Sequence, residues 1–194
     1  MTKGAETRQV ILDEAAAQAS QVGLGGLTIG ALATRTRLSK SGLFAHFRSK
    51  EHLQLQVLAH ARARFVDKVA RPAVARPRGE PRVRELFERW LEWGSQPGGC
   101  LFVAAQFELD DQRGPVRDQF VADQLDWLDT IAQVFRTGIG EGHFRGDASP
   151  EQFASDLDGI VLGFHCHSRL LADPLAGDRA RYAFERLLDA ARPA

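Results

Sequence analysis

With 25 Lys and Arg against 25 Asp and Glu, the 194-residue chain is formally neutral, yet residues 1–58 carry seven basic and four acidic side chains and the remainder 18 and 21. A basic head on an acidic body points one end of the molecule at a polyanion, and the length admits a small domain plus a larger one. Two cysteines without paired spacing, Cys100 and Cys166, indicate neither a disulfide framework nor a zinc site, and the first residues hold no apolar run long enough for a signal peptide or membrane span, so a cytoplasmic location is expected.

Helical periodicity runs through nearly every segment and no alternating strand is found. The expected fold class is all-α, nine helices and no sheet. The first helix runs from about Thr7 to Val22, with Ile11, Ala15, Ala19 and Val22 on one face and Gly23 as its stop. A short helix carrying Ile29, Leu32 and Ala33 follows, then a second opened by Ser39 and ending near His46-Phe47. Between Thr28 and Lys50 stand five basic residues (Arg35, Arg37, Lys40, Arg48, Lys50) and no acidic one. Two short helices joined by a tight turn and carrying only positive charge form a helix-turn-helix suited to a DNA groove. A three-helix bundle serving protein contacts is the alternative, and it leaves the all-basic stretch unexplained.

In such a motif the first helix braces the backbone and the second presents its N-terminal residues to base edges in the major groove. Thr28 is suited to cap the bracing helix and to offer a hydroxyl and free N–H groups to a phosphate. Ser39 is suited to cap the reading helix, with Lys40, Ser41 and Leu43 as its exposed first turn. Lys50, at the start of the next helix, can bind a phosphate together with that helix's free N–H groups. Gly42 costs about 1 kcal/mol relative to Ala inside a helix, so either the neighbouring helix or the DNA backbone is expected to approach it closely.

From Thr7 to Leu58 the chain resembles the N-terminal domain of the tetracycline-repressor (TetR) family of bacterial regulators. The resemblance is carried by the preceding helix, Gly23, Thr28, Ala33, Leu38-Ser39, Gly42 and the phrase His46-Phe47-x-x-Lys50. It implies base contacts at Lys40, Ser41 and Phe44 and phosphate contacts at Thr28, His46 and Lys50. One departure matters: the family usually has Tyr where this chain has Phe44. Phenylalanine can meet a thymine methyl group but cannot donate the phenol's hydrogen bond to a phosphate. The candidate DNA-contact set is Thr28, Arg37, Ser39, Lys40, Ser41, Gly42, Leu43, Phe44, His46 and Lys50.

A long helix, 49–71, carries Leu53, Val57, Phe65 and Val69 and ends at Pro72. It links an expected DNA-binding domain, 1–50, to a helical effector-binding and dimerisation domain, 51–194. The segment Pro72–Arg82 reads as a loop or seam. Val83, Leu86, Phe87, Trp90 and Leu91 then mark a buried helical face. Gly98-Gly99 breaks the chain before the apolar helix CLFVAAQFELDD, whose sequence resembles a C-terminal subtype of the same family. A helix from about Pro115 carries Val116, Phe120, Trp127, Leu128, Ile131 and Phe135 and frays into GIGEGHFRGDA. Ser149-Pro150-Glu151-Gln152 is a capping-box start for a helix reaching about Ala172, and the last helix spans roughly Asp178–Ala191.

The aromatics of this second half are either plain core or, as the resemblance implies, the wall of a cavity for a small effector that lowers DNA affinity. The expected pocket set is Phe87, Trp90, Phe102, Gln106, Phe107, Phe120, Gln124, Trp127 and His165, with His143 a further polar candidate. Residues two apart on a helix point about 200° apart, so His165 and His167 cannot share one ion and no metal or cofactor is expected. Both cysteines read as small buried residues.

The helix from Ser149 is apolar on two sides. Phe153, Leu157, Ile160, Val161, Phe164 and Leu171 form one face; Ser155, Gly159, Leu162, Gly163, Cys166 and Leu170 form the other. Such a helix needs cover on both sides, from a two-fold partner or from its own subunit. The dimer reading pairs it with the last helix in a four-helix bundle, adding Phe184 and Leu188 to the interface. The function expected is that of a homodimeric repressor, released from a palindromic operator by a small, mostly apolar effector. An architectural DNA binder without effector and an all-helical enzyme are the alternatives. Against the enzyme stands the lack of a nucleophile elbow, phosphate loop or metal-ligand cluster; Gly138-x-Gly140-x-Gly142 follows no strand.

Overall fold

The structure, a computed structural model, describes residues 3–193, and among these it has nine helical rods and no strand. They are α1 (Lys3–Val22), α2 (Ile29–Thr36), α3 (Lys40–His46), α4 (from Lys50), α5 (Glu80–Gly94), α6 (Leu101–Leu109), α7 (Pro115–Gly140), α8 (from Pro150) and α9 (Ala176–Ala191). Two rods contain a π turn. In α4 the α-helical part Lys50–Phe65 passes through Val66–Ala70 into a last α turn, Arg71–Val74; α8 continues from His165 through Cys166–Leu170. The long helix thus does not end at Pro72. Proline cannot donate to the carbonyl four residues back, but the Arg71 N–H just before it already reaches the Val66 carbonyl, and this wider turn carries the rod past the proline.

Packing divides the chain into two units: residues up to Arg64 with Pro97–Val121, and Phe65–Gln96 with the chain from Ala122 onward. The first unit thus runs past residue 50 to Arg64, and α6 belongs to it together with the reading helices. The reason is its apolar face: Leu101, Ala105 and Leu109, four residues apart, are buried in one cluster with Ile11, Leu12, Ala15 and Ala19 of α1, Leu32 of α2, Leu43 of α3 and Leu53 and Val57 of α4.

The second unit is built on stacked aromatics. Phe87 of α5 lies on Phe184 of α9 with ring centroids 4.0 Å apart, and Phe135 of α7 lies 4.3 Å from Phe144 and 4.1 Å from Phe153. The end of α7 does not fray. Gly142 turns left-handed at φ 75°, and the N–H groups of His143 and Phe144 both donate to the Gly138 carbonyl. Gly138 is required there, since a Cβ would stand 2.4 Å from the Phe144 ring. His143, expected near a pocket, instead accepts the Glu80 N–H at 3.2 Å and caps the start of α5. The same start is held electrostatically: Glu80 binds Arg84 and Arg192, and the Arg192 guanidinium, ahead of Arg84, holds the Glu80 carboxyl below the usual range.

Ser149 caps α8 by accepting the Gln152 N–H at 3.1 Å, but only half of the capping box forms. The Gln152 side chain donates to Asp156 at 2.8 Å instead of accepting the Ser149 N–H. Further along α8, desolvation pushes the half-buried Asp158 carboxyl up to about 6, from an ordinary 3.8. The folded state then keeps a proton that the unfolded chain has already lost. Stability is expected to fall as pH rises from about 4 to about 7, by roughly 2–3 kcal/mol. Asp158→Asn should remove most of this slope and leave the protein more stable than wild type at pH 8; parallel denaturant titrations at pH 5 and pH 8 would show it. An unchanged slope would place the carboxyl in water.

Three sequence expectations about α8 and α9 are corrected. Phe184 (2% exposed) and Leu188 are buried within their own subunit, because the α9 face that carries them stacks on Phe87, so neither is available to a partner. Leu171, placed on the core face, is 61% exposed, because the π turn and the left-handed Ala172 (φ 50°) rotate it outward. Cys100 is buried as expected, but Cys166 is exposed.

Candidate nucleic-acid interface

The reading head is placed by three capping hydroxyls, of which the sequence announces the first two. Thr28 Oγ1 accepts the Ala31 N–H at 3.1 Å, Ser39 Oγ accepts the Gly42 N–H at 3.1 Å, and Ser49 Oγ accepts the His52 N–H at 3.0 Å. Each leaves the following first turn with N–H groups free to meet an anion. Between α2 and α3 the turn is made by Arg37, left-handed at φ 56°, whose N–H closes on Ala33.

Helical phase sorts the residues of α3. Lys40, Ser41 and Phe44, spaced i, i+1 and i+4, are exposed; Phe44, large and apolar, is 53% exposed. Leu43 and Phe47 lie on the opposite side and are fully buried. Leu43 must therefore be removed from the set of DNA contacts: it stands one helical turn before Phe47 and fills the core beneath the reading helix. At Gly42 the neighbour within 4 Å of a notional Cβ is the capping Ser39 Oγ, at 3.2 Å, and not another helix. Close approach of the neighbouring helix is thus not the reason for that glycine. His46 is half-buried, its ring 6.2 Å from Phe47.

The charge is also redistributed. Arg35 pairs with Glu14 of α1 at 3.3 Å and is partly neutralised. Among the described residues no ion pair engages Arg37, Lys40 or Arg48, and all three are exposed. Lys50 stands in the first turn of α4 and donates to the Gly25 carbonyl, so the ammonium is anchored to the turn before α2 while two of its three donors remain. Two residues outside the expected set hold the same turn: Gln54 donates to the Leu24 carbonyl at 2.9 Å, and Glu108 of α6 accepts the N–H groups of Leu24, at 2.8 Å, and Gly25. The lone carboxylate in a mostly apolar helix was the available sign of Glu108.

Strain at Arg37 gives a test of its role. A left-handed non-glycine residue costs about 1–2 kcal/mol, against about 0.5–1 for the extra freedom that Gly loses on folding. Arg37→Gly is expected to leave stability unchanged or raise it by up to about 1 kcal/mol. It should weaken binding to all DNA sequences and flatten the logarithmic salt slope by about one counterion. An unaltered slope would show that Arg37 meets no phosphate.

Two family profiles match this chain. One described as bacterial regulatory proteins, tetR family, covers residues 11–57; one described as tetracyclin repressor-like, C-terminal domain, covers residues 79–184, more than half of the chain. The chain belongs to the TetR family. As a TetR protein it is a DNA-binding transcriptional regulator and not an enzyme. Solved TetR structures share its fold. A TetR transcriptional regulator from Chloroflexus aurantiacus is 25% identical, with 97% of this chain and 96% of that one aligned and a TM-score of 0.86. A regulator from Saccharomonospora viridis, solved with choline, is 20% identical over 95% and 96%, with a TM-score of 0.82. AibR, solved with isovaleryl coenzyme A and operator DNA, is 19% identical over 91% and 97%, with a TM-score of 0.71. Among curated proteins none matches.

The TetR effector residues expected from sequence do not share one unit. Phe102, Gln106, Phe107 and Phe120 belong to the first; Phe87, Trp90, Gln124, Trp127 and His165 to the second. Phe120 is buried in the first unit's core, where Phe102 packs against it, and Phe107 is 72% exposed. Phe87 is committed to its stack on Phe184. In the second unit Phe65 meets three indoles edge-on, Trp127 at 4.7 Å, Trp93 at 5.6 Å and Trp90 at 6.3 Å. The buried Nε1 of Trp93 and of Trp127 and the Nδ1 of His165 have no hydrogen-bond partner among the described residues. Burial, reinforced by Arg169, holds the His165 pKa below its ordinary value, so its ring is neutral at neutral pH.

Proposed function

We propose that the protein is a homodimeric repressor that binds a palindromic operator through α3 and is released by a small, mostly apolar effector. The observation that carries the DNA half is the first turn of α3: Lys40, Ser41 and Phe44 exposed together over a fully buried Leu43 and Phe47, with no acidic residue between Thr28 and Lys50. Phosphates would be met by Thr28, Arg37, His46 and Lys50, and bases by Lys40, Ser41 and Phe44, with Ser39 and Gly42 bringing the turn close. The reading head is contained in residues 1–50, and effector binding and dimerisation fall to 51–194.

The effector half is supported by the indoles around Phe65. A buried N–H without an acceptor costs about 1–3 kcal/mol, which an effector carrying an acceptor would recover at Trp93 or Trp127. Such a molecule would be flat and apolar with one or more polar acceptors; the complexes of AibR with isovaleryl coenzyme A and of the Saccharomonospora viridis regulator with choline support small-molecule binding on this fold. Dimerisation is supported by the open face of α8, where Ser155, Gly159, Cys166 and Leu170 are exposed and Leu162 and Gly163 half-exposed. Such a regulator acts in the cytoplasm, on the nucleoid.

Selection of duplexes from random DNA, followed by footprinting, tests the reading. Lys50→Ala should weaken all sequences alike and lower the salt slope by about one, whereas Ser41→Ala should lose discrimination between the selected and random duplexes. Equal loss of discrimination from both would contradict the division of roles, and selection that enriches no palindrome would sink the operator.

A further inference from the structure

The turn Gly23–Leu27 leads from α1 to the cap of the bracing helix, and its shape is held by a side chain from α6. Both carboxylate oxygens of Glu108 are used: one accepts the Leu24 N–H at 2.8 Å, the other the Gly25 N–H. The glycines make room for this. A Cβ at Gly23 would stand 2.7 Å from Glu108 Oε2, and one at Gly25 would stand 2.6 Å from Oε1. Lys50 and Gln54 donate to the carbonyls of Gly25 and Leu24, so the N–H and the C=O of both residues are taken. A carboxylate beside the C-terminal end of a helix is electrostatically out of place, and two N–H donors compensate it here.

We propose that Glu108 is a positioning residue for DNA binding: its carboxylate clamps the Leu24–Gly25 peptide units and so makes the placement of Thr28 and α2 conditional on α6. This rests on the DNA-reading role of α2 and α3 proposed above. With the clamp made, the turn is ordered before DNA arrives; without it, the ordering cost is charged against affinity. Glu108 itself touches no phosphate, and its own charge would repel one.

The test is a double-mutant cycle read on a duplex selected from random sequence by the wild-type protein, at a temperature where circular dichroism shows every variant folded. Glu108→Gln keeps the shape but cannot accept both N–H groups. Gly25→Ala keeps the carboxylate and displaces it, at a position whose φ does not demand glycine. Each is expected to weaken binding about tenfold to a hundredfold, the range of a lost charge-assisted hydrogen bond, and to speed hydrogen exchange at Leu24 and Gly25. The double variant should be no weaker than the worse single one, and the salt slope should stay at the wild-type value. Affinities within twofold of wild type, or fully additive losses, would overturn the clamp. A changed slope would make Glu108 part of the DNA surface instead. A wild-type protein that enriches no sequence fails earlier, at the DNA-reading role itself.

Discussion

Gly163→Arg is expected to convert the proposed dimer into a folded monomer and to lower affinity for the proposed palindromic operator by about 100-fold to 10,000-fold, the advantage that a second tethered reading head supplies. The side chain has room within its own subunit, because nothing lies within 4 Å of a Cβ at either Gly159 or Gly163. Thermal stability of the subunit should therefore change little, while a guanidinium planted in a close helix–helix contact would be buried without a partner in a dimer. On the same face Leu170 is 78% exposed, a large apolar side chain whose covering would favour association. Sedimentation velocity and operator titration decide the matter together. A variant that sediments as a dimer and binds as tightly as wild type places the interface on another surface.

Leu43→Ala and Phe44→Ala are neighbouring truncations with opposite expected results. Leu43 is fully buried beneath the reading helix, and its loss should cost about 2–5 kcal/mol of stability through lost transfer energy and a residual cavity. Phe44 is more than half exposed, so its truncation should leave stability within about 0.5 kcal/mol and weaken operator binding instead. Chemical denaturation and DNA titration of the two variants separate the effects. If Leu43→Ala is as stable as wild type, the phase assigned to α3 is wrong; if Phe44→Ala binds as wild type does, the exposed ring meets no base.

The contrast between these two residues shows where reading from sequence stops. The cap at Ser39 and the start of α3 follow from residue chemistry, because a hydroxyl one step before a helix has a local use for its oxygen. Which residues of the first turn face outward depends on the rotation of that helix against its neighbours, and three apolar or small residues in a row (Gly42, Leu43, Phe44) leave the rotation open. Burial of Leu43 with Phe47 settles it. Phe184 is a similar case. Both sides of the last helix look apolar in sequence, and only the stack on Phe87 tells which side the subunit keeps. His143 looked like a ligand group because a lone imidazole in a glycine-rich segment carries no label; its use as a cap for α5 arises from a segment 63 residues away.

What the sequence by itself determined was local or periodic: the nine helices, the caps at Thr28 and Ser39, the break at Gly98-Gly99, and a basic motif whose spacing resembles one family and whose membership in that family the profiles establish. These need only short-range hydrogen bonding, backbone freedom and a hydrophobic period, all of which are written within a few residues. Tertiary structure decided what depends on distant partners. It joined α6 to the reading head through Leu101, Ala105 and Leu109, and brought Glu108 onto the N–H groups of Leu24 and Gly25, 84 and 83 positions away. It also carried α4 past Pro72 on a π turn. A carboxylate's partner is chosen by where the core places its helix, and that choice is a property of packing, which no stretch of sequence contains alone.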